Sequence, residues 1–212
     1  YYIHDMELKI TYGITVKNEL EEIKKLLPFL IKNIREEDDI VVLWDSRDGT
    51  DEMVNYLTSL EDDISLYQDE FQGHFADWKN KLTSHCFGDY IFQIDADEIP
   101  NQVLIQHLPT ILQSNPGIDV VLVPRENYVT GLTDEHIKQW GWQVDKQSRI
   151  NFPDLQWRIY RNSYSIKWVN KVHEKLEGFD IYTNLPLEPE FSLLHLKTIE
   201  KQEKQNNYYN TL

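Results

Sequence analysis

The stretch "GDYIFQIDADEIP", residues 88–100, closes an apolar run with Asp95, Asp97 and Glu98. Carboxylates that close together repel one another unless something neutralises them. A divalent cation would do so, and two carboxylates are a common minimal protein set for Mg2+ or Mn2+ when the ion also binds substrate phosphates. A turn beginning at Ala96 would let Asp95 and Asp97 reach one ion. The plainer alternative is a solvated acidic patch ahead of a helix, complementing its dipole. An apolar strand leading into the trio, within an alternating strand and helix pattern, favours the metal.

Elements must position these groups. "LKITYGITV" (8–16) is rich in β-branched and aromatic residues and reads as a strand. Leu20, Ile23, Leu27, Leu30, Ile31 and Ile34 then recur at helical spacing, with Pro28 expected to kink or divide the helix. "DDIVVLWDS" (38–46) reads as a second strand, apolar throughout as when both faces are covered. Thr50 is placed to cap the next helix, with Met53, Val54 and Leu57 inward. A short strand near "ISLYQ", a helix over "FADWKNKLTSHC" with Gly88 as its C-cap, and a strand over "DYIFQID" follow. This alternation predicts an α/β fold with a mostly parallel central sheet flanked by helices. Ligands of such sheets bind beyond the carboxyl ends of the strands. Three polar strand ends, Thr15–Glu19, Asp45–Asp48 and Asp95–Glu98, should therefore lie side by side on one rim.

After residue 100 the pattern loosens. A helix (about 101–113) and a strand over "DVVLVPREN" precede a polar stretch holding Trp140 and Trp142. "LQWRIYRN" alternates like a strand with which "IKWVNKVHEKL" could pair. "YTNLPLEPEFSLLHL" is punctuated by proline, and the polar tail reads as an exposed helix. No repeat or low-complexity linker divides the chain, so one domain over 1–212 is expected. Its front half, to about 100, would bind a nucleotide, and its rear half would build the acceptor side.

The 36 acidic and 21 basic residues give a formal charge of −15, which argues against wrapping nucleic acid. A small phosphate ligand needs only a local cation. The lone Cys86 points to a reducing compartment, and no apolar run approaches a membrane span. The opening "YYIHDMELK" lacks the pattern of a leader peptide, so a cytoplasmic protein is expected.

Four co-linear blocks, "ITYGITVKNELEEI", "IVVLWDSRDGTDEMV", "FADWKNKLTSHCFGDYIFQIDADEIP" and "WRIYRN...KWVNKVHEKLEG", resemble those of family 2-like glycosyltransferases. The likeness covers roughly residues 8–178 and most of the tail. It implies the GT-A fold, a Rossmann-like architecture for nucleotide-diphospho-sugar transferases. The chain is also similar to glycosyltransferase domains that large algal (chlorella) viruses encode, involved in capsid protein glycosylation. The resemblance implies transfer of a hexose or deoxyhexose, such as glucose or rhamnose, from a UDP-sugar to a glycan acceptor hydroxyl. It leans towards inversion and implies Mn2+ or Mg2+ as cofactor.

Carried onto this chain, the resemblance implies that Thr15, Val16, Lys17, Asn18 and Glu19 hold the base or ribose. Asp45 would contact the base, with Asp48 competing because the chain reads "DSRDGT" where many relatives have Asp-Asp-Gly-Ser. Lys79 would meet the phosphates, Asp95 the ribose or metal, and Asp97 and His173 the metal. An ordinary structural histidine is the alternative at His173, and His195 in "LLHLK" carries a weaker echo. Asp154 and Glu174 are the candidates for a general base that takes the acceptor proton, Glu126 and Glu98 lesser ones. Asp154 as a turn residue, arginines 158 and 161 as partners of acids, and tryptophans as core filler are the bland counterparts.

One rival also uses an aspartate pair after an apolar strand, a second shares the fold class, and a third lacks turnover. A phosphatase of the haloacid dehalogenase type wants Thr or Val where Ile99 stands. A nucleotidyltransferase wants a glycine-rich basic loop missing from "TVKNELEE". A sugar-nucleotide binding module would bind the donor without turnover.

Overall fold

The computed structural model describes residues 7–211. Most of the opening segment read for a leader lies outside them. The front half runs β1 (Ile10–Val16), α1 (Leu20–Asn33), β2 (Asp39–Asp45), α2 (Asp51–Thr58), β3 (Ser65–Asp69), α3 (Phe75–Ser84) and β4 (Tyr90–Asp95). The rest runs β5 (Glu98–Pro100), α4 (Gln102–Ser114), β6 (Val120–Thr130), α5 (Asp134–Trp140), β7 (Asp154–Arg161), β8 (Lys167–Val169) and β9 (Lys175–Glu177). It finishes with β10 (Tyr182–Asn184), a 3-10 turn (Pro189–Phe191), β11 (Leu193–Thr198) and α6 (Ile199–Tyr209).

The main sheet has the order β3-β2-β1-β4-β7-β6-β11-β5, with β10 also on β6. Strands β3, β2, β1 and β4 are mutually parallel, as the alternation requires. Strand β7 enters antiparallel between β4 and β6. Strand β6 therefore points the same way as β4, and β11, parallel to β6, does too. The carboxyl ends of β1, β2, β4, β6 and β11 thus share one rim.

Two apolar layers sandwich the sheet. One face packs Tyr12, Ile14, Phe92 and Ile94 against Ile23, Leu27 and Leu30 of α1 and Leu104 and Leu108 of α4. The other packs Val41, Leu43 and Ile91 against Ala76, Trp78 and Leu82 of α3, and against Trp168 and Leu176. Successive strand residues alternate between the layers, so register decides which face each rim residue joins.

Several expectations change. Pro28 neither kinks apart nor ends α1, which is continuous over Leu20–Asn33. An interior proline costs about 3 kcal/mol, but four buried residues, Ile23, Leu26, Leu27 and Leu30, each contribute roughly 1.5–3 kcal/mol. Gly88 is not a helix cap, because α3 ends at Ser84 with His85 following. It is glycine because a Cβ there would lie 2.6 Å from the Thr11 amide nitrogen. The 166–176 stretch does not pair with β7. Strands β8 and β9 make their own antiparallel pair. Two more strands, β10 and β11, come from the proline-rich stretch and share one edge of β6. Thr50 does cap α2, its hydroxyl accepting from the Met53 amide at 3.2 Å.

Candidate active site

The rim assembles as expected at its first level. Thr15 is in direct register with Asp95, and β2 ends alongside at Asp45. In the alternation of their strands, Asp45 and Asp95 follow Leu43 and Ile91, which face α3. Their side chains therefore lie on the α3 side of the rim.

Along that rim, Val16 and Asp45 are buried while Asn18 is exposed. Asp45 Oδ1 accepts from the amides of Arg47 and Phe71, each at 3.1 Å. Its Oδ2 lies 3.5 Å from Lys17 Nζ. The Glu19 carboxylate turns back to accept from the Lys17 amide at 2.8 Å. Asp48 sits in the following turn with φ +60° and an exposed side chain. Lys79 is buried, 3.0 Å from Glu174 and over the Trp168 ring. His173, with φ +54°, lies beside the ring of Tyr209 on α6. Burial raises the Tyr209 hydroxyl, a Gln205 hydrogen bond partly offsets that, and the negative charges of Glu174, Asp95 and Asp97 raise it further.

The acidic trio does not act as a unit. Glu98 is fully buried and shared by two guanidinium groups. Arg158 donates to it from Nε at 3.0 Å and Nη2 at 2.8 Å, and Arg125 Nη1 at 2.9 Å. Burial opposes ionisation, but Arg158 and Arg125 outweigh it and hold Glu98 well below the usual carboxylate range. Its lesser candidacy as a base ends there.

From Glu98 a chain of contacts runs in both directions. Arg158 Nη2 also donates to Asp95 Oδ2 at 2.8 Å. Arg125 Nε donates to Asp154 Oδ2 at 2.9 Å, and Asn127 Nδ2 donates to the same oxygen at 2.7 Å. Asn127 Oδ1 meets His195 Nδ1 at 2.7 Å, and His195 Nε2 meets Asp97 Oδ2 at 3.2 Å. Asp97 and Asp95 are two residues apart, so the backbone between them joins the two ends of this chain of contacts. Both His195 nitrogens face oxygens, so the ring ties Asn127 to Asp97. Burial pushes the Asp97 carboxyl up, but His195 and Lys197 more than offset this and hold it below its ordinary value.

These placements sort the sequence candidates. Asp154 is pinned by three donors, since Gln156 Nε2 also reaches its Oδ1 at 2.6 Å. The structure uses it as a strut rather than leaving it open to an acceptor. Glu126 pairs with Arg149 at 3.3 Å, and Arg161 with Asp119 at 3.3 Å. Glu174 is paired through one oxygen. His173 does not join the two aspartates: among the described residues no three His, Cys, Asp or Glu side chains are placed to hold one ion. His195, given the weaker echo, is the histidine on Asp97. Arg125, Asn127 and Lys197 were missed altogether. The only sequence signal for Lys197 was its alternation with His195 along "LLHLK".

Asp95 and Asp97 nevertheless suit a hard divalent ion. Their Oδ2 atoms are fixed by Arg158 and His195, and their Oδ1 atoms have no hydrogen-bond partner among the described residues. Two oriented carboxylate oxygens leave the remaining coordination positions to water and phosphate, as Mg2+ prefers.

Comparison with known proteins bears on the family and the fold. The profile of Glycosyl transferase family 2 matches residues 11–175. Glycosyltransferase SunS, from Bacillus phage SPbeta and as a prophage-derived copy in Bacillus subtilis (strain 168), is 24% identical over 169 residues, 78% of this chain. The chain spans about a third, 34%, of the length of those relatives. Among solved structures, S. aureus TarS 1-349 in complex with UDP-GlcNAc aligns with a TM-score of 0.62 and 16% identity. That alignment covers 90% of this chain and 59% of TarS 1-349. Full TarS aligns at 0.61 and 15% identity, covering 94% of this chain and 38% of its own. The chain belongs to glycosyl transferase family 2 and has the GT-A fold.

Proposed function

We propose that this protein transfers a hexose or deoxyhexose from a UDP-sugar to a glycan hydroxyl, with inversion and with Mn2+ or Mg2+ bound at Asp95 and Asp97. The observation that carries this reading is the pair of carboxylates with one oxygen each held by a neighbouring side chain, Arg158 or His195, and the other left open at a strand-end rim. The relation of fold to TarS, solved with UDP and with UDP-GlcNAc, supports uridine diphosphate as the carrier. The likeness to algal viral domains supports a glycan acceptor on a capsid glycoprotein. A buried free cysteine and the absence, among the described residues, of any helix long and apolar enough to cross a membrane are compatible with a cytoplasmic setting.

In the proposed reaction the acceptor oxygen forms a bond to the anomeric carbon as that carbon's bond to the β-phosphate oxygen breaks. The hydroxyl proton passes to a carboxylate base, and UDP departs with the bonding electrons. A bound divalent ion would supply positive charge opposite the departing diphosphate. Arg158 and His195 hold the two aspartates in the orientation that such binding needs. Of the two base candidates, Glu174 keeps an uncommitted oxygen among the described residues, whereas Asp154 does not. The front half, with Thr15–Glu19, Asp45 and Lys79, would hold the nucleotide, and the rear half the acceptor.

The test is to incubate the protein with a panel of nucleotide sugars and Mn2+ or Mg2+ and follow nucleoside diphosphate. Metal-dependent UDP release is expected, and Asp97→Ala should abolish metal-dependent donor binding while leaving the fold intact. Binding without any release would identify a non-catalytic module. Inorganic phosphate from phosphomonoesters would identify a phosphatase.

A further inference from the structure

On the side of the Asp95–Asp97 turn away from α3, a groove of about 230 Å³ runs between α1, β5, β11 and α6. Asp97 forms part of its wall, so it is continuous with the proposed transfer centre. Its size falls below the 300–1,000 Å³ or so typical of sites for whole drug-sized ligands. It suits a single sugar unit and excludes a complete nucleotide sugar.

The lining is unusual for this protein. The chain carries 36 acids against 21 bases, yet Lys25, Lys197 and Lys201 all converge here against only Glu22 and Asp97. Lys201 forms an ion pair with Glu22, joining α6 to α1. Lys197 is nearly buried, donates to Gln205 and stands 3.9 Å from Asp97. Lys25 has no ion pair among the described residues. One ammonium is therefore left over, on a helix face open to the groove. Ile99 and Leu196 add apolar surface, the latter 59% exposed, of the kind that covers the C–H face of a sugar ring. A local positive pocket in a strongly negative molecule concentrates anions.

We propose that this groove is an acceptor subsite and that it takes a saccharide unit bearing a carboxylate or a phosphate, held by Lys25 with Lys197 behind it. The inference rests on the glycosyltransferase reading of the same centre, because a transferase must bring a second substrate against the turn that carries Asp97.

The test is equilibrium binding, by calorimetry or NMR, of methyl glucuronide, glucose 6-phosphate and methyl glucoside to the full chain and to Lys25→Gln. The charged probes should bind at least about tenfold more tightly than methyl glucoside, the scale of one charge-assisted contact. Lys25→Gln should erase that preference. The stronger of the two charged probes identifies the anion. Equal binding of all three probes, a preference that survives Lys25→Gln, or displacement of the charged probes by UDP would each overturn the assignment. UDP release from donor alone is measured separately, so loss of the transferase reading is distinguishable from loss of this subsite.

Discussion

Glu98 stands next in sequence to the aspartates and does a different job. A carboxylate shared by two guanidiniums inside the protein is costly to disturb, because removing it leaves two buried cations uncompensated. Glu98→Gln should destabilise the protein by about 3–5 kcal/mol in denaturant titrations. The effect has a pH signature. The folded-state carboxyl is depressed from its ordinary 4.5 to about 2, so the unfolded chain binds more protons across that interval. Stability from Glu98 is fully present above pH 4.5 and drains away as pH falls towards 2, and Glu98→Gln should flatten that part of an acid unfolding curve. From sequence, Asp95 and Asp97 were legible because their pattern is local. Their supports were not, since Arg158 reaches Asp95 across 63 positions and His195 reaches Asp97 across 98. Only strand pairing brings such residues together. The same reasoning explains why Asp154 looked available: nothing in "FPDLQW" announces that Arg125 and Asn127 will occupy its oxygens.

At the scale of elements, short pieces carry much of the positioning. The β8–β9 pair holds Trp168 under Lys79 and places Glu174 against the same lysine. It depends on Gly178, where φ is +83° and a Cβ would sit 1.9 Å from the Ser165 carbonyl oxygen. Gly73 has a similar φ of +80° but nothing within 4 Å of the same point. Gly178→Ala should therefore cost well over the ~1–2 kcal/mol of a left-handed alanine, and Gly73→Ala only that amount. Thermal melts of the two variants check the contrast, and donor affinity should suffer only in the first. Helices with a clear apolar stripe, such as α1, were readable along with the apolar strands β1, β2 and β4. Strands of three residues gave no period to read, and the β8–β9 pairing was misassigned for that reason. Strand β11 was hidden by the prolines ahead of it.

Across the whole molecule, a charge of −15 opposes the approach of a doubly phosphorylated donor. Screening should relieve this: raising ionic strength from about 0.01 M to about 0.1 M shortens the Debye length from ~30 to ~10 Å. The donor KM is expected to fall severalfold over that range in steady-state assays. A KM that rises instead would show that local cations such as Lys17 and Lys79 dominate the encounter. The front-half architecture followed from alternation of strand and helix, which only a layered parallel sheet accommodates. The rear half did not, because its sheet edge is assembled from strands far apart in sequence around a single long β6.

The chain of contacts from Asp95 through Arg158, Glu98, Arg125, Asp154, Asn127 and His195 to Asp97 ends only at two aspartates that the backbone ties together. A linear network can shed its last member and leave the rest paired. Here the ends are the two rim aspartates, and losing any member between them strands the groups on both sides, as loss of Glu98 leaves Arg158 and Arg125 without their shared carboxylate. Descendants of this protein can therefore drift at these positions only by concerted exchange, swapping an acid and its base together, while single replacements pass through an unfit intermediate. Inheritance at those sites should look like a lock with several tumblers rather than a set of independent letters.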